Sequence, residues 1–278
     1  MIEEPRLTPY QPTSPTGHRC LVLAPHPDDE TIGCGGTIAL HRARGDEVHV
    51  LVLTDGARGL TAAEYAGQDY AHVRRRELES ACRELGGAHV EWFGFPDRGL
   101  ADHVPEAEAK LLRAIEQVRP GRIYCTSPWE VSPDHTAAWR LTRRVLDRLP
   151  EKPELWGYEI WQFLLPNVLV DITETWARKD AALRQYASQR TPIDIAEAAE
   201  HLSRLRAMTC PPPVQRAEAF FHLVAGEAAS TLEERLRREL DAQGADLAAL
   251  RDRVARADAT PAGLVTRVAR RLLRRRRA

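Results

Sequence analysis

The chain contains no apolar run approaching the roughly 20 residues that cross a bilayer. Its first residues, MIEEPRLTPYQPTSPTG, are acidic and rich in Pro and Thr rather than basic and then apolar. Neither a spanning helix nor a secretory leader is therefore expected, and a cytoplasmic protein is. Cysteines are few and scattered: positions 20, 34, 82, 125 and 210 are odd in number and have no close pair. That fits reduced thiols better than a disulfide framework. Aromatic residues make up only 6% of the chain, so Trp92, Trp129, Trp156 and Trp161 are each core material first and a sugar-stacking surface second. Net charge is nearly absent, at -1 from 39 basic and 40 acidic residues. What is present, 43% hydrophobic and 28% charged residues over 278 positions, excludes a collagen-like or wholly disordered chain. Surface scaling gives about 12,000 Å² folded against about 45,000 Å² extended, enough to bury a large core.

The small net charge is a sum of unlike parts. LVTRVARRLLRRRRA at 264–278 carries seven Arg and no acid, which leaves 32 basic against 40 acidic residues in the rest. An acidic body is a poor platform for nucleic acid, and no specific nucleic-acid partner is expected. Leu264, Val265, Val268, Leu272 and Leu273 interleave with the arginines, a pattern that suits an anionic membrane surface and a peripheral location on the inner face. Leu232, Leu236, Leu240, Leu247, Leu250 and Val254 predict a preceding helix with one apolar edge, a candidate homo-oligomer contact over 232–254.

Between these ends, strand and helix patterns alternate. Short apolar strands are expected at 20–24, 48–54, 89–95 and 122–127, and helices at 38–45, 70–86, 103–120 and 134–150. Later segments read as strands at 154–163 and 167–173, helices at 174–189 and 194–208, and a last core piece at 215–226. The order predicts an α/β, doubly wound, Rossmann-like fold: a mostly parallel sheet with helices on both faces, plus a C-terminal helical extension. The expected divisions are an N-terminal arm at 1–17, disordered or wrapped on, an α/β domain at 18–228 and the extension at 229–278.

Two polar clusters interrupt this pattern at strand ends. LAPHPDDETIGCGG (23–36) follows the first strand and SPWEVSPDH (127–135) the fourth. In doubly wound sheets ligands bind at the carboxyl ends of the strands. If the strand order reverses between the first and fourth strands, His26, Asp29 and His135 converge. Imidazole and carboxylate both ligate zinc, and three protein ligands with an open fourth position mark a catalytic site. The residues also allow a structural turn, with Asp28 capping the next helix and His26 satisfied locally. GCGG (33–36) lacks the Lys of a P-loop and does not fit GxGxxG, so its glycines are expected to permit close packing. Cys34 lacks the partners of a nucleophile. His41, His49, His72, His89, His201 and His222 share no ligand spacing.

These motifs resemble the PIG-L/LmbE-like family of zinc-dependent N-acetylglucosaminyl deacetylases, whose signatures are A-H-P-D-D-E and H-P-D-H. Here the first appears as Ala24-Pro25-His26-Pro27-Asp28-Asp29-Glu30, with one Pro inserted after the Ala. Further likeness lies in LTDGARG (53–59), Arg74 with Glu77, GFPDRGL (94–100) and VDITETWARKDAALRQYASQ (170–189). The resemblance implies His26, Asp29 and His135 as ligands of Zn²⁺ or another divalent ion such as Fe²⁺, and Asp28 as the general base. It further implies Arg74 and Asp97 as contacts to an N-acetylated amino-sugar substrate, and Asp134 as support for a ligand His. The second signature departs from the family: Ser132 stands where the family has His. A Ser hydroxyl donates one hydrogen bond but carries no positive charge. Ser132 is therefore expected at the substrate, with Glu130 as a substitute acid. Two function classes follow: an amino-sugar deacetylase, or a glycan-binding protein that keeps the metal pocket without full activity.

Overall fold

The computed structural model describes residues 9–15, 17–59, 65, 67–189 and 194–223. Every described residue lies in one compact unit, Met1–Ala229. The expectations for 232–254 and 264–278 lie outside the described residues. None of the described helices is long and apolar enough to cross a membrane.

Seven strands form one sheet in the order β3-β2-β1-β4-β5-β7-β6. They are β1 (Cys20–Ala24), β2 (Val48–Thr54), β3 (His89–Phe95), β4 (Arg122–Thr126), β5 (Glu154–Tyr158), β6 (Val168–Asp171) and β7 (Ala217–Leu223). The first five run parallel, and β7 lies antiparallel between β5 and β6. Strand β1 is buried along its whole length and sorts its side chains by the two-residue period of a strand. Cys20, Val22 and Ala24 pack beneath α1 (Asp29–Ala43), α2 (Tyr70–Glu84) and α5 (Trp176–Leu183). Leu21 and Leu23 pack beneath α3 (Val104–Val118) and α4 (Pro133–Leu146). Helix α6 (Ile195–Ala207) joins Leu183 through Ala196 and Ala199.

Because β2 and β4 flank β1 on opposite sides, the chain winds outward in both directions from β1. The crevice at the carboxyl ends of β1 and β4 is the position such folds use for ligands. In the segment before β1, Thr13 N donates to Leu169 O at 2.6 Å, and Arg44 holds the Pro15 carbonyl. All five cysteines are free, and four of them are buried.

Several boundaries differ from the pattern-based ones. The strand expected at 154–163 stops at Tyr158, because the carboxylate of Glu130 gathers the amides of residues 160–162 away from the ladder. The helix expected at 174–189 stops at Leu183 and is followed by a 3-10 turn at Ala187–Gln189. The largest difference is α1, which begins at Asp29 rather than near 38 and runs through the glycines with a break at Cys34 (φ -144°, ψ 23°).

Close packing explains why glycine is required in α1. A Cβ on Gly33 would run into the Tyr158 ring, and one on Gly36 would lie 2.7 Å from Ile172. The backbone groups freed at the break are recaptured by two buried side chains. Gly36 N and Thr37 N each donate to the Glu218 carboxylate at 2.8 Å, and Thr37 Oγ1 donates to it at 2.6 Å. Lys179 Nζ donates to Ile32 O at 2.8 Å and to Glu218 at 2.6 Å. Gly33→Ala is expected to destabilise the protein by about 1–3 kcal/mol or more, the cost of overpacking, measured by urea denaturation.

Candidate metal centre and substrate cavity

Four loops meet at the carboxyl edge of the sheet, following β1, β2, β3 and β4. The loop after β1 is pinned by Thr54, whose N and Oγ1 donate to the Pro25 carbonyl at 3.0 and 2.8 Å. Asp28 then adopts φ 135°, ψ -27°, a left-handed conformation that costs a non-glycine residue about 1–3 kcal/mol. Its carbonyl accepts from Thr31 N at 3.0 Å and Ile32 N at 2.8 Å, and its amide donates to Glu30 Oε2 at 3.1 Å. The Asp28 side chain makes no cap bond to α1, contrary to the turn reading. Its Oδ2 instead lies 3.1 Å from Arg74 Nη2, whose residue is buried beneath the loop and also reaches the Pro27 carbonyl. Glu30 is buried against Tyr186 and Thr31.

His26, Asp29 and His135 converge as expected from the strand order. His26 Nδ1 lies 3.2 Å from Asp29 Oδ2, His135 Nε2 lies 3.3 Å from the same oxygen, and the two ring nitrogens are 3.2 Å apart. A tetrahedral zinc site with bonds of about 2.0–2.1 Å has ligand-to-ligand edges of about 3.3–3.4 Å. This triangle of two nitrogens and one carboxylate oxygen thus has the size and donor chemistry of a divalent-metal face.

The opposite ring nitrogens are fixed by carboxylates. His26 Nε2 faces Asp134 Oδ2 at 3.1 Å and Asp97 Oδ1 at 3.4 Å, and His135 Nδ1 faces Glu130 Oε2 at 3.1 Å. Each carboxylate favours the tautomer that turns the other nitrogen's lone pair toward Asp29, the usual support of a metal-bound His. Asp97 and Asp134 form with His26 a second group of metal-type donors. Asp134, however, already accepts Arg98 N at 2.6 Å and Leu100 N at 3.1 Å, so its lone pairs are committed to orienting loops and ring.

Burial and charge act against each other here. Burial pushes the Asp28 carboxyl up to about 6, although the Arg74 guanidinium opposes the rise. Burial also pushes Asp29 upward, but His135 and His26 outweigh it and hold that carboxyl below the usual range. For His135, burial lowers the imidazole, yet the charge of Asp29 brings it up to about 9.

A cavity of about 560 Å³ opens onto this centre and is lined by His26, Asp28, Asp29, Arg74, Asp97, Ser132, Trp161 and neighbouring residues. Arg74 and Asp97, expected as sugar contacts, are both in its wall. Asp97 Oδ2 accepts Arg58 N at 2.8 Å, while Arg74 Nε and Nη1 have no hydrogen-bond partner among the described residues. Ser132 precedes Pro133, the first residue of α4, and its hydroxyl makes no cap bond. Glu130 is a correction: expected as a substrate contact and substitute acid, it is buried behind His135. It also accepts Ile160 N, Trp161 N and Gln162 N at 2.7, 3.1 and 3.3 Å. Of the four tryptophans considered for stacking, Trp161 alone lines the cavity; Trp156 is buried in the core and Trp129 packs edge-on to Phe221. Cys34 is fully buried, and burial pushes its thiol well up. His41, His49, His72, His89, His201 and His222 join no metal-type group among the described residues.

Nothing in the local pattern marked Glu130 as the partner of His135, though its spacing of five residues before that His was available. The Lys179–Glu218 pair had no local signal, since its members are separated by 39 positions.

Comparison with known proteins agrees with this geometry. The chain is 33% identical over 181 residues to a probable N-acetyl-alpha-D-glucosaminyl L-malate deacetylase 2 of Bacillus cereus, covering 61% of this chain and 82% of that protein. It is 30% identical over 206 residues to the diacetylchitobiose deacetylase of Thermococcus kodakarensis, covering 68% and 76%. The N,N'-diacetylchitobiose deacetylase structure from Pyrococcus horikoshii superposes with a TM-score of 0.65 at 28% identity, covering 74% of this chain and 83% of that one. Matched also over residues 21–146 by the profile of the GlcNAc-PI de-N-acetylases, the chain belongs to the PIG-L family.

Proposed function

We propose that the protein is a metal-dependent amide hydrolase that removes the N-acetyl group of a GlcNAc-like amino sugar carried in a glycoconjugate. The observation that carries this reading is the His26, Asp29 and His135 triangle with Asp28 beside it. Metal ligation alone has no need of that further carboxylate.

His26, Asp29 and His135 would hold a divalent ion, zinc in our reading, which would supply a Lewis acid for the amide carbonyl and lower the pKa of the attacking water. The chain's own residues do the rest. Asp28 Oδ2 is engaged by Arg74, so Oδ1 is the oxygen that takes the proton from the attacking water and returns it to the departing nitrogen. Arg74, buried behind the cavity wall, fixes that carboxylate through Nη2. Ser132 offers a hydroxyl at the cavity wall, where it can donate to the developing oxyanion. Trp161 supplies an exposed aromatic face suited to a sugar ring. Asp134 and Glu130 hold the two imidazoles in orientation.

Zinc-loaded protein incubated with N-acetylhexosamine conjugates is expected to release acetate, and metal removal by a chelator to abolish it. Tight metal binding without release from any conjugate would favour the glycan-binding reading. Ser132→His, which restores the family signature, is expected to raise kcat by up to about 10² with little change in KM. Glu130→Gln is expected to weaken metal affinity about 10–100-fold, read by competition with a chromogenic chelator.

A further inference from the structure

A second concavity, of about 290 Å³, adjoins the polar cavity and shares Trp161 and Ile195 with it. One wall is the loop after β5, with Trp161 and Phe163; the other is the face of α6 that carries Ile195, Ala199, Leu202 and Leu205. Spacings of four, three and three residues place these four along one side of a helix. Trp161 is 60% exposed, Phe163 72% and Leu205 49%, and an apolar concavity beside a polar site is the shape that small-molecule groups occupy.

The groove is also electrically quiet. Its acid, Glu159, is closed by Arg206 through bonds of 2.8 and 2.5 Å and by Leu164 N at 3.1 Å. Gln162 and His201 are the remaining polar side chains in the wall. The loop wall is held by backbone donation to Glu130, the carboxylate that also orients His135. Groove and metal face are thus fixed to one another through a single side chain.

We propose that this groove holds an apolar aglycone of the substrate, an alkyl-like group on the glycosidic side of the N-acetylated sugar. The inference rests on the function proposed above. If the group removed is acetyl, the nitrogen carries no long chain, and an apolar chain reaching the groove from the cavity must hang from the aglycone. Trp161 and Ile195, common to both walls, set the groove directly beside the cavity, and the neutralised Glu159 removes the charge that would oppose it.

The test is titration calorimetry of the zinc-loaded full chain with methyl, butyl and octyl glycosides of glucosamine, below micelle-forming concentrations. Acetate release from the matching N-acetyl glycosides is measured in parallel. Affinity is expected to tighten about two- to fourfold for each methylene that enters the groove. Leu205→Glu and Phe163→Ser are expected to flatten that dependence, while Phe163→Leu retains most of it. Equal affinity for the methyl and octyl glycosides would overturn the proposal. So would a chain-length dependence that appears for N-octanoylglucosamine methyl glycoside instead and is lost in the same variants. A failure of the deacetylase reading looks different: no acetate from any glycoside, with the calorimetric dependence on chain length still present.

Discussion

Asp28→Asn is expected to lower kcat for acetate release by about 10²–10⁴, the usual contribution of a positioned general base, with metal stoichiometry unchanged. His26, Asp29 and His135 keep their geometry without the Asp28 carboxylate, because their orienting partners are Asp134 and Glu130. Asn keeps the shape and tolerates the left-handed backbone at least as well as Asp, so the φ of 135° is not a reason for collapse. The one structural loss is the ion pair to Arg74, whose side chain is only 2% exposed. A buried guanidinium without its counter-charge is costly, and a modest fall in stability should accompany the loss of rate. The decisive comparison sets kcat against bound metal and thermal midpoint in the same samples. A variant that binds one metal, melts cooperatively and retains full rate would remove Asp28 from the mechanism.

Lys179→Met should destabilise the fold by about 3–5 kcal/mol, as expected when one member of a buried ion pair is removed. Lys179 and Glu218 are 2% and 3% exposed and 2.6 Å apart, so neither charge is relieved by water. The usual remedy, replacing both members with apolar residues, is often neutral or stabilising. Here it should fail. Glu218 also accepts Gly36 N, Thr37 N and Thr37 Oγ1, so Lys179→Met combined with Glu218→Leu leaves the restarted half of α1 uncapped. Urea denaturation of the single and double variants is the measurement, and recovery of wild-type stability in the double variant would show that the cap contributes little. Because Asp29 lies on the first turn of the same helix and Asp28 directly before it, loss of rate is expected alongside loss of stability.

Much of the architecture is legible in local patterns. Four βα units follow from short apolar strands alternating with amphipathic helices, since both periodicities are properties of a dozen neighbouring residues. His26, Asp29 and His135 could be named because each lies in a short motif at a strand end, where a parallel sheet presents its ligands. The role of Glu130 could not. Its position five residues before His135 is equally compatible with facing the cavity, and only the path of residues 160–162 shows that it faces inward. The glycines at 33–36 announced close packing but not its partners, Tyr158 and Ile172, which come from β5 and from the residue after β6.

Periodicity, strand-end motifs and the scattered cysteines were sufficient to establish an α/β fold with a His/Asp centre, because those signals depend on near neighbours along the chain. Tertiary structure decided which nitrogen of each imidazole faces Asp29, which acid supports which ring, what mends the break in α1, and that an apolar groove adjoins the polar cavity. Each of these depends on side chains brought together from different loops and strands. Their meeting is set by the order in which strands are laid into the sheet, a long-range property that no local window of residues contains.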